Sequence, residues 1–230
     1  MNPLNRPLKI IFCLPGTTFT HNFLMSWSNI LTYCLNNKII PIISQKTNSN
    51  VYFVRNACLG GNIMSGVNQK PFGGKIDYDF IMWIDSDQVF TIEQFTKLLT
   101  HNKNIVSGLY LMKGGDNYAT VKHWDENFFK KNGYFRFLSK NDIETIVKKS
   151  TDLFTVDYTG FGWMLIKKGV IEKMQYPWFH AKEFTTTVNG VQVKEMLSED
   201  VSFCHAVKDL GFKIYIDPTI IVGHEKMQIL

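Results

Sequence analysis

The chain lacks the segments that direct proteins into membranes or out of the cell. No apolar run approaches the ~18–20 residues of a membrane-spanning helix. The N-terminal stretch MNPLNRPLKIIFCLPG has too short an apolar core for a signal peptide and breaks at Pro15. Internal repeats and low-complexity linkers are also missing. We therefore expect a soluble, cytoplasmic protein without a membrane span.

Cysteine is scarce and carries no metal or disulfide signature. None of the four cysteines forms a C-x-x-C pair or stands with histidines at a zinc-site spacing, and each lies among apolar residues: Cys13, Cys34, Cys58 and Cys204. Cysteines of this kind are usually buried free thiols. This use of cysteine favours a reducing compartment, in agreement with the expected cytoplasmic location.

The chain also has no long block of basic residues. Its net charge of +5 comes from scattered lysines, several of them in pairs such as Lys130-Lys131 and Lys167-Lys168. Such pairs are typical of a solvated surface, so we expect no nucleic-acid partner. With 45% hydrophobic and 20% charged residues, the 230-residue chain can bury its own core and shows no sign of global disorder.

Hydrophobic periodicity predicts alternating strands and helices in the first half of the chain. Apolar runs predict strands at 8–14, 39–44, 80–84 and 105–111. Helical spacing predicts helices at 22–35 and 48–60. A capping box formed by Thr91 and Gln94 predicts that a third helix begins directly after the strand at 80–84.

The second half mixes shorter elements. Residues 112–153 are predicted to form loops and a hairpin, with one helix around 142–149. Further strands are predicted at 153–157, 162–166, 212–216 and 220–223, with a break at Asp217-Pro218. Ser198 and Gly211 bound a last helix. The whole pattern favours a single α/β domain with a mostly parallel sheet.

Two D-x-D patterns lie on either side of the apolar run FIMWI. Asp77 and Asp79 come before it, and Asp85 and Asp87 come after it. Ligands of open α/β sheets collect at the carboxyl ends of strands, which makes the second pair the candidate site. Strand alternation predicts both carboxylates on one side, where they can hold a hard divalent cation and, through it, a diphosphate. A solvated strand end explains this pattern equally well.

Other polar and glycine residues accompany the second D-x-D pattern. In chain order they are Leu14-Pro15-Gly16 after the first strand, Arg55-Asn56 on an early helix, Gly160-Phe161-Gly162 before a strand, Glu199-Asp200 at a helix start, and Gly223-His224 near the end. Together with Asp85-Ser86-Asp87, this ordered set resembles a glycosyltransferase of the GT-A fold, closest to family 2-like enzymes with a D-x-D motif. The resemblance covers most of the chain.

The resemblance implies a fold and an activity. The fold would be a GT-A-type single domain with a mostly parallel central sheet flanked by helices and a smaller mixed β region in the second half. Residues 1–111 would form the nucleotide-binding half and residues 112–230 the acceptor-binding half. The enzyme, of hexosyltransferase type, would move a sugar from a nucleotide-diphosphate sugar (a UDP- or GDP-sugar) to a hydroxyl of a carbohydrate or other acceptor.

The resemblance also assigns the donor and metal sites. Mn²⁺ or Mg²⁺ would neutralise the leaving diphosphate as a Lewis acid, bound by Asp85, Asp87 and His224. Asp87 is the first choice of ligand, whereas Asp85 would bind through water or hold the ribose or donor sugar instead. The donor would be bound by Leu14, Pro15, Gly16, Arg55, Asp85, Ser86, Gly160 and Gly162.

Each of these assignments has a plainer alternative. Arg55 could lie on the solvated face of its helix, and His224 could be an ordinary surface histidine. Gly160 and Gly162 could only turn the chain, although glycine also permits close approach of a donor sugar to the backbone.

The pair Glu199-Asp200 is the candidate catalytic pair. Acidic residues in a first helical turn stabilise any helix by ~0.3–1 kcal/mol through its dipole. In the resemblance, the aspartate of such a pair is the general base that deprotonates the acceptor in an inverting enzyme. We therefore predict Asp200 as the base, with Glu199 contacting the acceptor or exchanging roles with it. A retaining enzyme would need no dedicated base.

Three rival functions remain, and the first of them uses the same D-x-D residues. In a haloacid dehalogenase-type phosphatase, Asp85 would be the nucleophile and Asp87 the general acid. A sugar nucleotidyltransferase would need a basic loop after the first strand, and LPGTTFT contains no lysine or arginine. A non-catalytic carbohydrate-binding module would keep the fold and bind without metal-dependent turnover.

Overall fold

The computed structural model describes residues 6–226 of the chain. Its strands are β1 (Leu8–Pro15), β2 (Ile39–Lys46), β3 (Phe80–Ile84), β4 (Gln88–Val89), β5 (Ile105–Leu109), β6 (Asn117–Val121), β7 (Phe137–Ser139), β8 (Phe154–Val156), β9 (Tyr158–Thr159), β10 (Trp163–Lys167), β11 (Lys182–Val188), β12 (Val191–Leu197), β13 (Ile214–Ile221) and β14 (Gly223–His224). Its α-helices are α1 (His21–Asn36), α2 (Val51–Cys58), α3 (Ile92–His101), α4 (Glu126–Asn132), α5 (Lys140–Lys149) and α6 (Glu199–Asp209).

Seven strands form the central sheet in the order β2-β1-β3-β10-β5-β13-β8. The prediction of a mostly parallel sheet is wrong, because β10 runs antiparallel to both of its neighbours and β8 runs antiparallel to β13. Parallel neighbours need a crossover, usually a helix, whereas β10 follows directly from the small sheet at β9. The correct description is an α/β fold with a large mixed sheet.

The core lies on both faces of this sheet. Alternate residues of each central strand enter opposite clusters, as Ile11 and Phe12 of β1 show. Helices α2, α5 and α6 pack on the Ile11 face, and α1 and α3 pack on the Phe12 face. Because strands from both predicted halves contribute to one sheet, residues 1–111 and 112–230 do not form separate packing units.

The region 112–153 is more regular than predicted. Strand β6 pairs with β7 and β9 in a three-stranded sheet, and α5 is the predicted helix, with a capping box between Ser139 and Asp142. Helix α4 was not predicted. Asp125 caps its first turn and Gly133 ends it in a left-handed conformation, so the local signals were present in a short, polar stretch.

Two features of the last third of the chain complete the fold. Strands β11 and β12 form an antiparallel hairpin directly before α6. The predicted break at Asp217-Pro218 is wrong, because β13 continues through it with a register shift between Ile216 and Ile221. Proline lacks the N–H that a ladder needs, and here it falls within that irregular stretch.

The prediction of buried free thiols is confirmed, because all four cysteines are buried and free. Within residues 6–226, no helix combines the length and the apolar character needed to cross a membrane.

A buried carboxylate ties α3 to β13. Asp217 is 1% exposed and accepts hydrogen bonds from the N–H and hydroxyl of Thr219, at 2.8 and 2.7 Å. His101 Nε2 lies 2.8 Å from it and Lys97 Nζ 3.1 Å. Burial alone would raise the pKa of Asp217, but these donors outweigh burial and lower it.

We predict that Asp217→Asn removes a pH-dependent part of the stability. The folded-state pKa of Asp217 lies below its unfolded value of about 3.9. Its stabilisation is therefore present above pH ~4 and is lost as the pH falls through the folded pKa. Urea unfolding at several pH values should show a deficit of about 3 kcal/mol at pH 7 that shrinks below pH ~4. The exposed Asp209→Asn is the control, and a deficit independent of pH would contradict the prediction.

Candidate active site

A buried arginine joins two of the predicted carboxylates. The Nη1 and Nη2 atoms of Arg55 donate to both oxygens of Asp85 at 3.1 and 3.2 Å, and its Nε donates to Glu199 Oε1 at 3.0 Å. Arg55 is 4% exposed, so the alternative of a solvated helix face is wrong, and its contact with a donor stays a prediction. The arginine links α2, the end of β3 and the start of α6.

The surroundings of this arginine explain why its charge is tolerated. Its guanidinium lies 5.5 Å from the ring centre of Trp83 and 5.1 Å from that of Phe161, within cation–π range. Burial opposes the charge, but the carboxylates of Asp85 and Glu199 outweigh it and raise the pKa of Arg55. Burial in turn raises the pKa of Glu199, against the pull of Arg55. The geometry makes Arg55 a positioning residue for the two acidic groups.

The second aspartate of the motif has different partners. Asp87 Oδ2 lies 3.2 Å from His224 Nε2 and 2.6 Å from Lys226 Nζ. Burial would raise the pKa of Asp87, but the hydrogen bonds from His224 and Lys226 outweigh it and bring the pKa to about 2. Asp87 is therefore ionised throughout the neutral range.

Residues 85–88 form a turn, closed by the bond from Gln88 N to Asp85 O at 3.1 Å. The prediction that strand alternation carries both carboxylates to one side is therefore wrong, because the strand ends at Ile84. The turn directs Asp85 to Arg55 and Asp87 to His224.

A short main-chain ladder delivers His224 to this turn. In the antiparallel pair β4–β14, His224 stands opposite Gln88, and Glu225 N donates to Asp87 O at 2.8 Å. The carboxylate of Glu225 accepts a hydrogen bond from Asn22 Nδ2 at 2.6 Å and another from Thr20 Oγ1. Backbone pairing thus brings together Asp87 and His224, which are 137 positions apart in the chain.

The hydrogen bonds of His224 determine its tautomer. Nδ1 lies 2.6 Å from the carbonyl oxygen of Leu111, which can only accept, so Nδ1 carries a hydrogen. In the neutral ring, the lone pair of Nε2 then faces the Asp87 carboxylate. Two acceptors 3.2 Å apart repel each other unless a cation lies with them. A proton, the Lys226 ammonium or a metal ion can stabilise this pair by supplying the positive charge.

The residues fit a metal ion in part. Across residues 6–226, no group of three or more His, Cys, Asp or Glu side chains is arranged to hold one. Asp85, the third predicted ligand, has both oxygens engaged by Arg55. Asp87 and His224 remain, and the Nδ1–H bond of His224 to a carbonyl is the usual support of a metal-ligating histidine. Mg²⁺ is commonly held by one or two carboxylates plus substrate phosphates and water, whereas Mn²⁺ also accepts an imidazole nitrogen such as that of His224.

The end of β1 lies against the aspartate turn. A Cβ atom on Gly16 would stand 2.7 Å from Cβ of Ser86, so only glycine allows this approach. Leu14 and Pro15 precede it in β1, and Gln45 Nε2 donates to the Gly16 carbonyl at 2.7 Å. The structure thus brings Gly16, directly after β1, against Ser86.

The glycines of the Gly-x-Gly segment face a tyrosine. A Cβ atom on Gly160 would lie 1.9 Å from the hydroxyl oxygen of Tyr110, and one on Gly162 would lie 2.8 Å from the Tyr110 ring. Gly162 O also accepts from Asp85 N at 3.1 Å. The glycines therefore serve close packing beside Asp85, and their contact with a donor sugar stays a prediction.

The predicted base is held by three donors. Tyr158 donates its hydroxyl to Asp200 Oδ2 at 3.0 Å, while Ser198 Oγ and the backbone N of Val201, at 2.9 Å, donate to Oδ1. A carboxylate offers about four acceptor positions, so one remains for an acceptor hydroxyl. Glu199 beside it is buried and paired with Arg55, which suits positioning; its exchange of roles with Asp200 stays a prediction.

The first D-x-D pattern lies at the other end of β3 and has structural partners. Asp77 pairs with Lys9 and Lys168 at 3.0 Å each, and Asp79 pairs with Arg6 at 2.6 Å. These ion pairs stabilise the N-terminal end of β3, in agreement with the prediction that the candidate site lies at the other end of this strand.

Sequence reasoning missed several residues of the site. Tyr158 lies two positions before Gly160, and Lys226 lies two positions after His224, so proximity to a motif was the available signal. Tyr110, which packs against both glycines of the Gly-x-Gly segment, is buried. Burial raises the pKa of the Tyr158 hydroxyl, with the charge of Asp200 adding to it, so Tyr158 is a hydrogen-bond donor.

The phosphatase alternative fits this geometry poorly. Its nucleophile would be Asp85, which needs a free carboxylate oxygen to attack phosphorus. Arg55 donates to both of these oxygens.

Comparisons with known proteins give a shared fold and no family. No protein-family model and no curated protein sequence matches the chain. Among solved structures, the chain is similar to A197 from STIV, with a TM-score of 0.51 and 16% sequence identity over 97% of this chain and 96% of that one. GalNAc-T7 with UDP, GalNAc and Mn²⁺ gives a TM-score of 0.47 and 10% identity over 96% of this chain and 44% of that one. The likeness to A197 shows the fold alone, and the second is too weak to support an argument. Membership of family 2 stays a prediction.

We predict that the buried arginine is required for stability because of the charges it neutralises. Arg55→Met should cost about 3–5 kcal/mol of unfolding free energy, since Asp85 and Glu199 lose their partner. Adding Glu199→Gln to Arg55→Met should recover part of this loss. Urea unfolding measures both, with the exposed Arg136→Met as the control for loss of an arginine. Equal stability of the single and double variants would contradict the charge explanation.

Proposed function

We propose that the chain is a glycosyltransferase that moves a sugar from a nucleotide-diphosphate sugar to an acceptor hydroxyl, with a divalent cation at Asp87 and His224. The observation that carries the proposal is the facing of Asp87 Oδ2 and His224 Nε2 at 3.2 Å, with the histidine tautomer fixed by Leu111. That arrangement suits a cation that is still open to phosphate oxygens. An α/β fold with this pair at the end of a central strand supports donor binding there.

The bound cation would supply Lewis-acid neutralisation of the leaving diphosphate. The chain's own residues would then do three things. Asp87 and His224 would bind the cation. Arg55 would fix the positions of Asp85 and Glu199. Gly16 would bring the end of β1 against Ser86, beside the donor. Lys226 is about half exposed and pairs with Asp87, so it would move away when a metal binds or stay to meet the diphosphate itself.

Asp200 would act as the base of an inverting transfer. Its three hydrogen-bond donors orient the carboxylate and leave one acceptor position open. The acceptor hydroxyl would give its proton to this oxygen as the hydroxyl oxygen attacks the sugar carbon. Arg55 connects this base to the D-x-D turn through Glu199, the residue next to Asp200.

A thermal-shift panel of nucleotides and nucleotide sugars tests the donor and metal site. With Mn²⁺ present, one nucleotide diphosphate at about 100 times its Kd should raise the Tm by about 5–10 °C. Asp87→Ala and His224→Ala should each lose the metal-dependent part of this shift, because each removes one of two protein ligands.

Lys226→Ala separates the metal from the lysine. If a metal binds at Asp87, this variant should keep the Mn²⁺-dependent shift or enlarge it, since a competing cation is gone. A shift that is independent of Mn²⁺ and lost in Lys226→Ala would assign diphosphate binding to the lysine. The absence of a response to any nucleotide would refute the proposed function.

The base assignment has its own test. Asp200→Asn should lower turnover of the donor and acceptor by about 10²–10⁴-fold, because general-base catalysis typically contributes that much. The nucleotide-induced Tm shift should be unchanged, which separates catalysis from binding. Asp209→Asn, on the same helix and exposed, is the matched control. Full turnover by Asp200→Asn would assign the enzyme a different base or a retaining mechanism.

A further inference from the structure

A cross-braced loop between α2 and β3 presents apolar side chains to solvent. Gln69 Oε1 accepts from Asn62 N at 2.9 Å, and its Nε2 donates to the carbonyls of Asn62 and Gly66 at 2.8 and 2.9 Å. Val67 O accepts from Tyr176 N at 2.8 Å, which fastens the loop to the body of the fold. The backbone of 62–69 is therefore held in place by its own polar groups.

The outward side chains of this loop are apolar. Ile63 is 80% exposed, Met64 88% and Val67 54%, and Phe53 of α2 is exposed as well. Ile63, Val67 and Phe53 also line a cavity of about 370 Å³ that has no acidic residue in its wall. An ordered loop that holds large apolar groups in water gains by burying them elsewhere, so this surface, which we call the 62–69 loop surface, indicates a docking face.

The chain segment that contains this loop, residues 1–76, carries only basic charged side chains. Residues 1–76 contain no aspartate or glutamate and seven lysines and arginines, whereas all 20 acidic residues lie in 77–230. Lys70 and Lys75 follow the loop directly, are exposed and form no ion pair with a carboxylate within residues 6–226. Arg6, Lys9 and Arg55 pair with carboxylates of the later segment. Lys70 and Lys75 therefore carry the unbalanced charge beside the loop, which favours an anionic surface as the partner.

We propose that the 62–69 loop surface docks the protein on an anionic lipid membrane, with Ile63 and Met64 inserted at the interface and Lys70 and Lys75 above the headgroups. Apolar insertion and lysine attraction reinforce each other at such an interface. A protein partner or a second copy would have to offer an apolar site ringed with acidic groups, whereas an anionic membrane presents both properties over its whole surface. Charge complementarity therefore favours the membrane.

Docking would also orient the site. Phe53 and Arg55 lie two residues apart on α2, and Asn56, next to Arg55, lines the cavity and is bonded to Phe179. The membrane would thus lie beside the helix that positions the candidate carboxylates. The proposal does not depend on the glycosyltransferase assignment, since membrane binding is measured without nucleotide.

Vesicle co-sedimentation tests the proposal directly. The full chain is mixed with vesicles of phosphatidylcholine alone or with about 30% phosphatidylserine, and the bound fraction is measured at low and high salt. Partitioning should be roughly tenfold stronger on the anionic vesicles. High salt should remove most of this preference, because the Debye length falls to about 3 Å at 1 M.

Two sets of variants locate the contact. The double variant Ile63→Ser, Met64→Ser should lower partitioning roughly tenfold or more, since the inserted apolar area is lost. Its matched control is Leu35→Ser, an equally exposed residue of α1 on the opposite face of the sheet. Lys70→Gln with Lys75→Gln should lower partitioning on anionic vesicles only, compared with Lys148→Gln with Lys149→Gln on α5.

Three results would overturn the proposal. The first is equal partitioning of the protein on neutral and anionic vesicles, or none on either. The second is unchanged partitioning of the Ile63→Ser, Met64→Ser variant, with thermal melts showing that it is folded. The third, seen by size-exclusion chromatography, is loss of a dimer in that variant without any vesicle binding, which would make the surface an interface between two copies.

Discussion

The candidate site depends on one buried arginine side chain. Arg55 holds the end of β3 and the beginning of α6 together through Asp85 and Glu199. These segments are far apart in the chain, and each carboxylate alone would be costly to bury. A single planar guanidinium satisfies both because its donors point in different directions from one rigid group. The relative position of the D-x-D turn and the predicted base Asp200 follows from this geometry.

Aromatic packing supplies the low-polarity surroundings in which that interaction is strong. Phe161 stands edge-on to Trp83, Phe179 and Phe203, and Phe179 stacks on Phe203 at 5.4 Å. These rings come from β3, the Gly-x-Gly segment, the loop before β11 and α6. The cluster excludes water from Arg55 and packs the candidate catalytic elements together. The ion pairs of Arg55 therefore lie within the aromatic core itself.

Much of the site could be predicted because it follows local rules. Asp85 and Asp87 end a buried strand, Asp200 lies in a first helical turn, and the strands with strong apolar runs were found. The mixed sheet could not be predicted, since the direction of β10 depends on the route of residues 112–162 and not on its own residues. The pairing of His224 with Asp87 was expected only from resemblance, because the two-residue ladder that makes it leaves no periodic signal. The burial of Arg55 depends equally on distant carboxylates.

The segment that carries His224 is attached by local contacts and has no helix or long strand of its own. These contacts are a two-residue ladder, the bond of His224 to Leu111 O, the Lys226–Asp87 pair and the hydrogen bonds of Glu225 with Thr20 and Asn22. Segments with few ordered contacts open locally at a small fraction of the global unfolding free energy. Such an opening separates His224 from Asp87 while both faces of the sheet stay packed. The residence time of a cation bound at this pair would therefore follow the local opening of residues 223–225 rather than the global unfolding of the core.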